Sequence, residues 1–382
     1  MTNENSKLRV VFEQWVIPNY RVPFFTELSK YCDLVVVISK NKSIDGLISA
    51  HQDATFKVVQ LDEDQNGPLY HPDIFSVLKD HNANIYVSWG QPLPQIFSNP
   101  DYRKKLKSLK IKTVWMGCDG FKIQNYPLAL LKMVCGPKRL MRYLRERIAM
   151  SYVDRYVVYS SHTKNFLSFV KLIPRWKIFV AHNAIDVTNI NKKYHELLLK
   201  NIKRIPNSII YTGRLTAGKR VDKLIIAFSE VIKKIPEATL KIIGDGSEHQ
   251  NLKLLSEKYN LGEKIKFLGG IYEDDILCKH QSEASLSVMS GLGGLGFNTA
   301  MACGLPIIYT HADGTEEDLF TDGINGWFFD GSTVDLSKKI IIALSDKNKL
   351  VTAGEISEKK ITTEITIAGM VKTYIKVFND LI

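Results

Sequence analysis

The chain has 382 residues, 45% of them hydrophobic and 24% charged, with a formal net charge of +11. That length holds two domains of ordinary size, and the composition is that of a folded chain rather than a disordered or fibrous one. No run reaches the roughly eighteen apolar residues of a membrane span, and the polar start lacks the basic and apolar regions of a signal peptide, so the expected location is the cytoplasm. The five cysteines (Cys32, Cys118, Cys135, Cys278 and Cys303) have no metal-ligand spacing and read as free thiols. Surplus positive charge fits nucleic acid, an anionic membrane face or a phosphate-rich substrate. No zinc-finger, RNP or basic-heptad pattern accompanies it, so nucleic acid is not an expected partner.

In chain order, apolar β-branched runs at 8–12, 34–38, 56–61, 85–89 and 112–115 alternate with helix-length segments and continue at 156–159 and 178–180. This is α/β alternation. After the third run stands Asp62-Glu63-Asp64, a triplet that suits a magnesium or manganese site but, with Gln65, Asn66, Gly67 and Pro68 behind it, reads more simply as a solvated turn. No metal or cofactor is therefore expected. Residues 128–147, from Leu128 to Arg147, mix apolar positions with Lys132, Lys138, Arg139, Arg142, Arg145 and Arg147. Such a segment either lies on an anionic bilayer or packs on the first domain with a solvated basic face.

The stretch 188–207 breaks the rhythm and reads as a connection, leaving a first domain over 1–187. The alternation restarts at 208–212, 239–243, 265–268, 284–288 and 306–309, a second parallel sheet in a domain spanning 208–366. A helical stripe at 367, 370, 371, 374, 375, 378, 381 and 382 closes the chain and must bury itself against one of the two domains.

Ligands of open parallel sheets gather at the carboxyl ends of the strands. In the second half those positions are Gly213-Arg214, Gly244-Asp245-Gly246, Leu268-Gly269-Gly270 and a loop with Gly291, Gly293, Gly294 and Gly296. The last of these, which includes Leu295 and runs into a short helix over 297–303, reads as an anion cradle, the alternative being a plain strand-to-helix connection. Arg214 can grip a diphosphate bidentately and Lys219 can meet it as a point charge, the alternative being a solvated turn. Those two charges suit the departing diphosphate of a nucleotide sugar, with no metal required.

The ordered series Gly213-Arg214-Leu215 with Lys219, Ile242-Ile243-Gly244-Asp245-Gly246, Phe267-Leu268-Gly269, Ala300 to Pro306 and Asp322-Gly323-Ile324-Asn325-Gly326 resembles the retaining glycosyltransferases of family 4. Ala181 to Asp186 is similar to that family's HNGxD segment, and Asp154-Arg155-Tyr156 to its strand entry; the first 150 residues match only in layout. The resemblance implies an α/β GT-B fold: two Rossmann-like domains facing each other across a cleft, donor nucleotide held by the second, terminal helix 367–382 packing back on the first. It implies a metal-independent hexosyl or related transferase acting on a surface polysaccharide (lipopolysaccharide or capsule) or a lipid-linked glycan, at the inner face of the membrane.

Two departures stand out. The family's paired glutamates are replaced by Gly291 and Thr299, neither of which can act as a carboxylate; Thr299 retains a hydroxyl for a ribose or sugar. This reads as altered donor recognition, or as a retired enzyme serving an active transferase as binding partner. The usual glycine loop after the first strand is replaced by 15–23, where Arg21 is either a substitute charge on the acceptor or phosphate side, shared with Asn183, or a helix-start arginine. Asp119 either orients a substrate hydroxyl or forms an ordinary Asp-Gly turn. Glu316 and Glu317 either meet sugar hydroxyls or form a solvated acidic helix start, and His182 reads as structural.

Overall fold

A computed structural model describes residues 7–40, 54–64, 71–90, 92–117 and 125–382. The chain divides into two compact units: 1–185 with 367–382, and 186–366.

The described residues of the first unit form a parallel sheet of β1 (Arg9–Glu13), β2 (Asp33–Ser39), β3 (Lys57–Leu61), β4 (Ile85–Trp89), β5 (Lys112–Gly117), β6 (Arg155–Val158) and β7 (Ile178–Val180). The strand order is β3-β2-β1-β4-β5-β6-β7. Strands buried on both faces read as unbroken apolar runs, and β1 shows why: Val10 and Phe12 enter one core cluster, Val11 the other. The first of these clusters includes the helix Ile367–Asn379, which buries Met370, Val371, Tyr374, Val377 and Phe378. Tyr374 lies 5.1 Å from the Phe24 ring and 6.0 Å from Phe12. Burying five such side chains contributes about 1.5–3 kcal/mol each. Asp380 adds an ion pair of 2.7 Å with Arg155.

In the second unit the strands are β8 (Ser208–Thr212), β9 (Thr239–Ile243), β10 (Ile265–Phe267), β11 (Leu286–Met289), β12 (Ile307–Tyr309) and β13 (Gly326–Phe328), ordered β10-β9-β8-β11-β12-β13 and all parallel. The three-residue β13 was absent from the strand runs read in the sequence; Gly-Trp-Phe is too short to show a pattern. Both sheets reverse their order beside their first strand, between β1 and β4 and between β8 and β11, where a doubly wound sheet opens a crevice for ligands.

The expected connection, 188–207, is instead an integral part of the second unit. Its helix Thr188–Leu199 buries Ile190 and Tyr194. Asn191 donates to the carbonyl of Ala302, and the Arg204 guanidinium donates to the carbonyls of Ala284, Cys303 and Gly304 at 2.6–2.9 Å. Two buried positions four apart are enough to dock a polar helix, a signal too sparse to stand out beside the strand runs.

Candidate functional site

The turns after β8, β9 and β10 are stitched to one another by backbone hydrogen bonds: Gly213 N to Ile243 O at 3.0 Å, Leu215 N to Asp245 O at 2.8 Å and Gly244 N to Gly269 O at 2.7 Å. This close approach explains a glycine directly. At Gly244, where φ is +145°, a β-carbon would stand 1.9 Å from the Gly213 carbonyl oxygen. The turn after β11 is joined to the turn after β8 in the same way. Leu292 N donates to Gly218 O at 3.1 Å, and a β-carbon on Gly291 would lie 2.5 Å from that oxygen. The family's glutamate has no room at 291 unless this pair of turns separates.

Lys219 ties the two turns together. Its Nζ donates to Leu292 O at 2.5 Å and reaches Gly293 O at 3.5 Å, leaving a third hydrogen of the ammonium for an anion. Gly294 faces the same nitrogen, with its β-carbon position 3.5 Å away. Burial, and then the positive charge of Arg214, hold the Lys219 pKa below the ordinary lysine value, partly opposed by Asp313. Arg214 is exposed, and its carbonyl accepts from Tyr211 Oη at 3.0 Å. A half-buried ammonium held beside a second positive charge forms a site that an anion relieves. Among the described residues the amides of Gly293, Gly294 and Leu295 donate to no protein acceptor, whereas that of Leu292 is committed.

The remaining candidates of this unit divide into rim and interior. Leu268 is half-buried, its amide donating to Ile242 O at 2.9 Å. Asp245 is exposed, and its Oδ1 accepts from the Gly246 amide at 2.8 Å and meets His249 Nδ1 at 3.1 Å; the amide bond first, then the histidine, keeps its pKa below the usual value. Thr299 points inward: its hydroxyl accepts from Gln281 Nε2 at 3.4 Å and donates to Gly296 O at 3.3 Å, while Gln281 is fully buried. Glu316 is also interior, only 1% exposed rather than solvated. Its two carboxylate oxygens take the amides of Ala312 and Gly314 at 2.7 and 3.0 Å, which clasps the loop after β12. Burial outweighs those donors and pushes its pKa up to about 7. Glu317 is exposed and stands 3.6 Å from His311, on the outer side of the same loop.

In the first unit Arg21 and Asn183 meet, but they face inward. Arg21 Nη2 donates to Asn183 Oδ1 at 2.6 Å and to Tyr159 Oη at 3.0 Å, Nη1 lies 3.3 Å from Met370 Sδ, and the group is 7% exposed. The arginine thus anchors the terminal helix, a use that no spacing within 15–23 reveals. Asp119 lies outside the described residues. Asp62 pairs with Lys40 at 2.7 Å, and among the described residues no three His, Cys, Asp or Glu side chains converge as metal ligands.

Several groups went unnoticed in the sequence. Ser290, 2% exposed, donates to Lys219 O at 3.2 Å and fixes the backbone beneath the ammonium. Asp313 lies close enough to oppose the lowering of the Lys219 pKa. At the reversal point of the first sheet, Glu13 at the end of β1 is 2% exposed and bonded to His71 Nδ1 at 2.7 Å, to Ser88 Oγ at 3.2 Å and to Tyr86 Oη, while His71 Nε2 meets Ser39 Oγ at 3.0 Å. A carboxylate ending an apolar strand was its sole sequence signal.

Comparison with known proteins agrees with this geometry. Residues 199–360, which hold the stacked turns and Lys219, match the family Glycosyl transferases group 1. That match covers less than half of the chain, and the two parallel-sheet Rossmann-like units have the α/β architecture of the GT-B fold. The chain is 26% identical over 228 residues to an uncharacterized glycosyltransferase of Haemophilus influenzae, covering 56% of this chain and 60% of that one. It is 25% identical over 207 residues to the N-acetyl-alpha-D-glucosaminyl L-malate synthase of Bacillus anthracis, covering 52% of this chain and 50% of the synthase. The matches thus span only half to three-fifths of those relatives. Among solved structures, HepE of Anabaena in complex with UDP superposes with a TM-score of 0.71 at 14% identity, covering 98% of this chain and all of that one; a likeness this remote speaks to the fold.

Proposed function

We propose that this protein transfers a hexosyl or related sugar from a nucleoside-diphosphate sugar to a hydroxyl of a surface polysaccharide or lipid-linked glycan, with retention of configuration as in family 4. The observation that carries this reading is Lys219 bridging the β8 and β11 turns at the reversal point of a group 1 domain, with Arg214 beside it. In it the departing diphosphate takes the third hydrogen of Lys219, the Arg214 fork and the amides of Gly293, Gly294 and Leu295. Charge appearing on the leaving oxygens meets preorganised donors, the usual largest source of rate enhancement. Two fixed cations supply what a metal supplies elsewhere, so the transfer is proposed to need none. UDP, present in the HepE crystals, is the first nucleotide to test.

Gly213, Gly244, Gly246 and Gly291 serve by letting turns approach; Asp245, Leu268 and Glu317 remain candidates for the nucleoside and sugar. Thr299, Glu316, Arg21 and Asn183 act as supports behind the ligand surface. The stretch 128–147 is proposed to bring the protein to an anionic inner membrane face. Its exposed Leu128, Leu131, Leu140, Met141, Leu144 and Ile148 beside the cations support that reading, and among the described residues no helix is long and apolar enough to cross a membrane.

The missing glutamates favour a second reading, a nucleotide-binding partner of an active transferase. Release of nucleoside diphosphate from each donor sugar, followed with and without a glycolipid acceptor extract and with excess chelator, separates the two. Acceptor-dependent release insensitive to chelator is expected. Binding of donor with no release under any acceptor favours the partner reading.

A further inference from the structure

The helices Tyr126–Val134 and Pro137–Ser151 of the first unit line an open cavity of about 700 Å³. Its wall combines Leu128, Ala129 and Met133 with Lys132, Arg139, Arg142 and Lys171. Lys171 is matched by Glu146 at 2.9 Å. Among the described residues no carboxylate is paired with Lys132, Arg139 or Arg142; Arg139 Nη1 only approaches the Lys132 carbonyl at 3.4 Å. Three uncompensated cations turned into one concavity repel each other, an arrangement that an entering anion stabilises.

Outside the lining of this cavity, the helix Pro137–Ser151 carries an exposed apolar side. Leu140, Met141, Leu144 and Ile148 repeat at helical spacing on the solvent side of Pro137–Ser151, between 36% and 55% exposed, while Tyr143, Ala149 and Met150 of the same helix are buried. Leu144 and Ile148 also line a second cavity of about 420 Å³ with Leu172 and Pro174, rimmed by Arg147 and Lys177. A helix apolar on both sides, with one side bare, offers that side to a partner.

We propose that the 700 Å³ cavity is a seat for the phosphate head group of an anionic membrane lipid, gripped by Lys132, Arg139 and Arg142. The acyl chains run over Leu140, Leu144 and Ile148 into the trough beside Leu172. Neither half suffices alone: a free phosphate uses none of the exposed apolar side of the helix, and a neutral lipid leaves the three cations unmatched. This rests on the membrane reading above but narrows it, because a diffuse basic surface treats every cation of the helix alike whereas a seat does not.

The test compares two triple variants that remove equal charge. One alters the cavity (Lys132→Gln, Arg139→Gln, Arg142→Gln); the other alters the same hairpin outside it (Lys138→Gln, Arg145→Gln, Arg147→Gln). Flotation is measured with vesicles of equal parts phosphatidylglycerol and phosphatidylcholine and with phosphatidylcholine alone, and thermal midpoints verify that the variants fold. The parent is expected to bind only the anionic vesicles, with the cavity triple losing roughly a hundredfold in partitioning and the other triple roughly tenfold or less. Equal losses overturn the seat and leave membrane association standing; no binding by the parent overturns both. A second arm uses soluble dihexanoyl-phosphatidylglycerol against inorganic phosphate. Stabilisation of the parent by the lipid, lost in the cavity triple and not reproduced by phosphate, is expected, whereas equal stabilisation by phosphate overturns the lipid assignment. Neither arm depends on sugar transfer, so failure of the transferase reading leaves this result interpretable.

Discussion

The two units put the same topological feature to opposite use. At the β8/β11 reversal the strand ends are bare backbone: glycine turns press together, and two cations are left on the rim. At the β1/β4 reversal the strand ends carry side chains that satisfy one another, Glu13 with His71, Tyr86 and Ser88, while nearby Arg21 turns inward onto Asn183, Tyr159 and the terminal helix. A parallel sheet guarantees an edge where ligands can gather; whether charges there serve a ligand or the fold depends on what already occupies their donors and acceptors. Charged residues of the first rim should therefore behave as structural groups, and those of the second as ligand groups.

The sharpest contrast is in stability. Glu13→Ala removes the shared buried acceptor of three donors and is expected to cost about 3–5 kcal/mol in urea unfolding, whereas Arg214→Ala, on an exposed side chain, should stay within about 0.5 kcal/mol of the parent. Equal losses in the two variants would erase the distinction between the rims. In transfer rate the order reverses. Arg214→Ala should lower turnover by roughly ten- to a hundredfold, about 1.5–3 kcal/mol of transition-state stabilisation, and unaltered turnover would remove Arg214 from the site.

The depressed pKa of Lys219 gives a smaller and more specific signature. A lysine with a lowered pKa loses its proton earlier as pH rises, so nucleotide affinity should fall on the alkaline side starting below the ordinary lysine range. Lys219→Arg should move that limb upward in isothermal titrations across pH, because guanidinium stays charged. A limb that does not move places the titrating group elsewhere.

Glu316 offers the mildest test. Its folded-state pKa of about 7 lies above the 4.5 of an unperturbed glutamate, so between those values the folded chain holds a proton that the unfolded chain has released. The contribution is fully present below about 4.5 and is lost as pH rises through about 7. The thermal midpoint should accordingly decline across that window, and Glu316→Gln should flatten the decline. A parent profile that rises there contradicts the buried clasp.

How far these roles were legible in the sequence follows from what pattern can carry. Alternating apolar runs disclosed both sheets, because strands buried on both faces must be apolar throughout; β13 escaped with its three residues. Glycines at 213, 244 and 291 stand at strand ends in the sequence, but their reason is the contact between turns, which spacing along one chain does not display. The inward roles of Thr299 and Glu316 depend on Gln281 and on the amides of 312 and 314, partners fixed only once the helices pack. Neither sequence reading of Arg21, a ligand charge or a helix-start arginine, includes its buried partners, because Asn183 and Met370 lie 162 and 349 positions away. For the same reason Cys278 and Cys303, scattered in sequence, turn out to be buried neighbours with sulfurs 3.7 Å apart.

The most direct test of the central claim is a thermal-shift series of parent and Arg214→Ala proteins against UDP, GDP, dTDP, ADP and CMP and their common sugar conjugates. A ligand at a hundred times its dissociation constant stabilises the fold by about 2.7 kcal/mol. The account predicts that one nucleoside diphosphate raises the parent midpoint by several degrees and that Arg214→Ala abolishes the shift. No shift with any nucleotide, or an equal shift in the variant, would contradict it and show that the Lys219 bridge between the β8 and β11 turns is not a phosphate site.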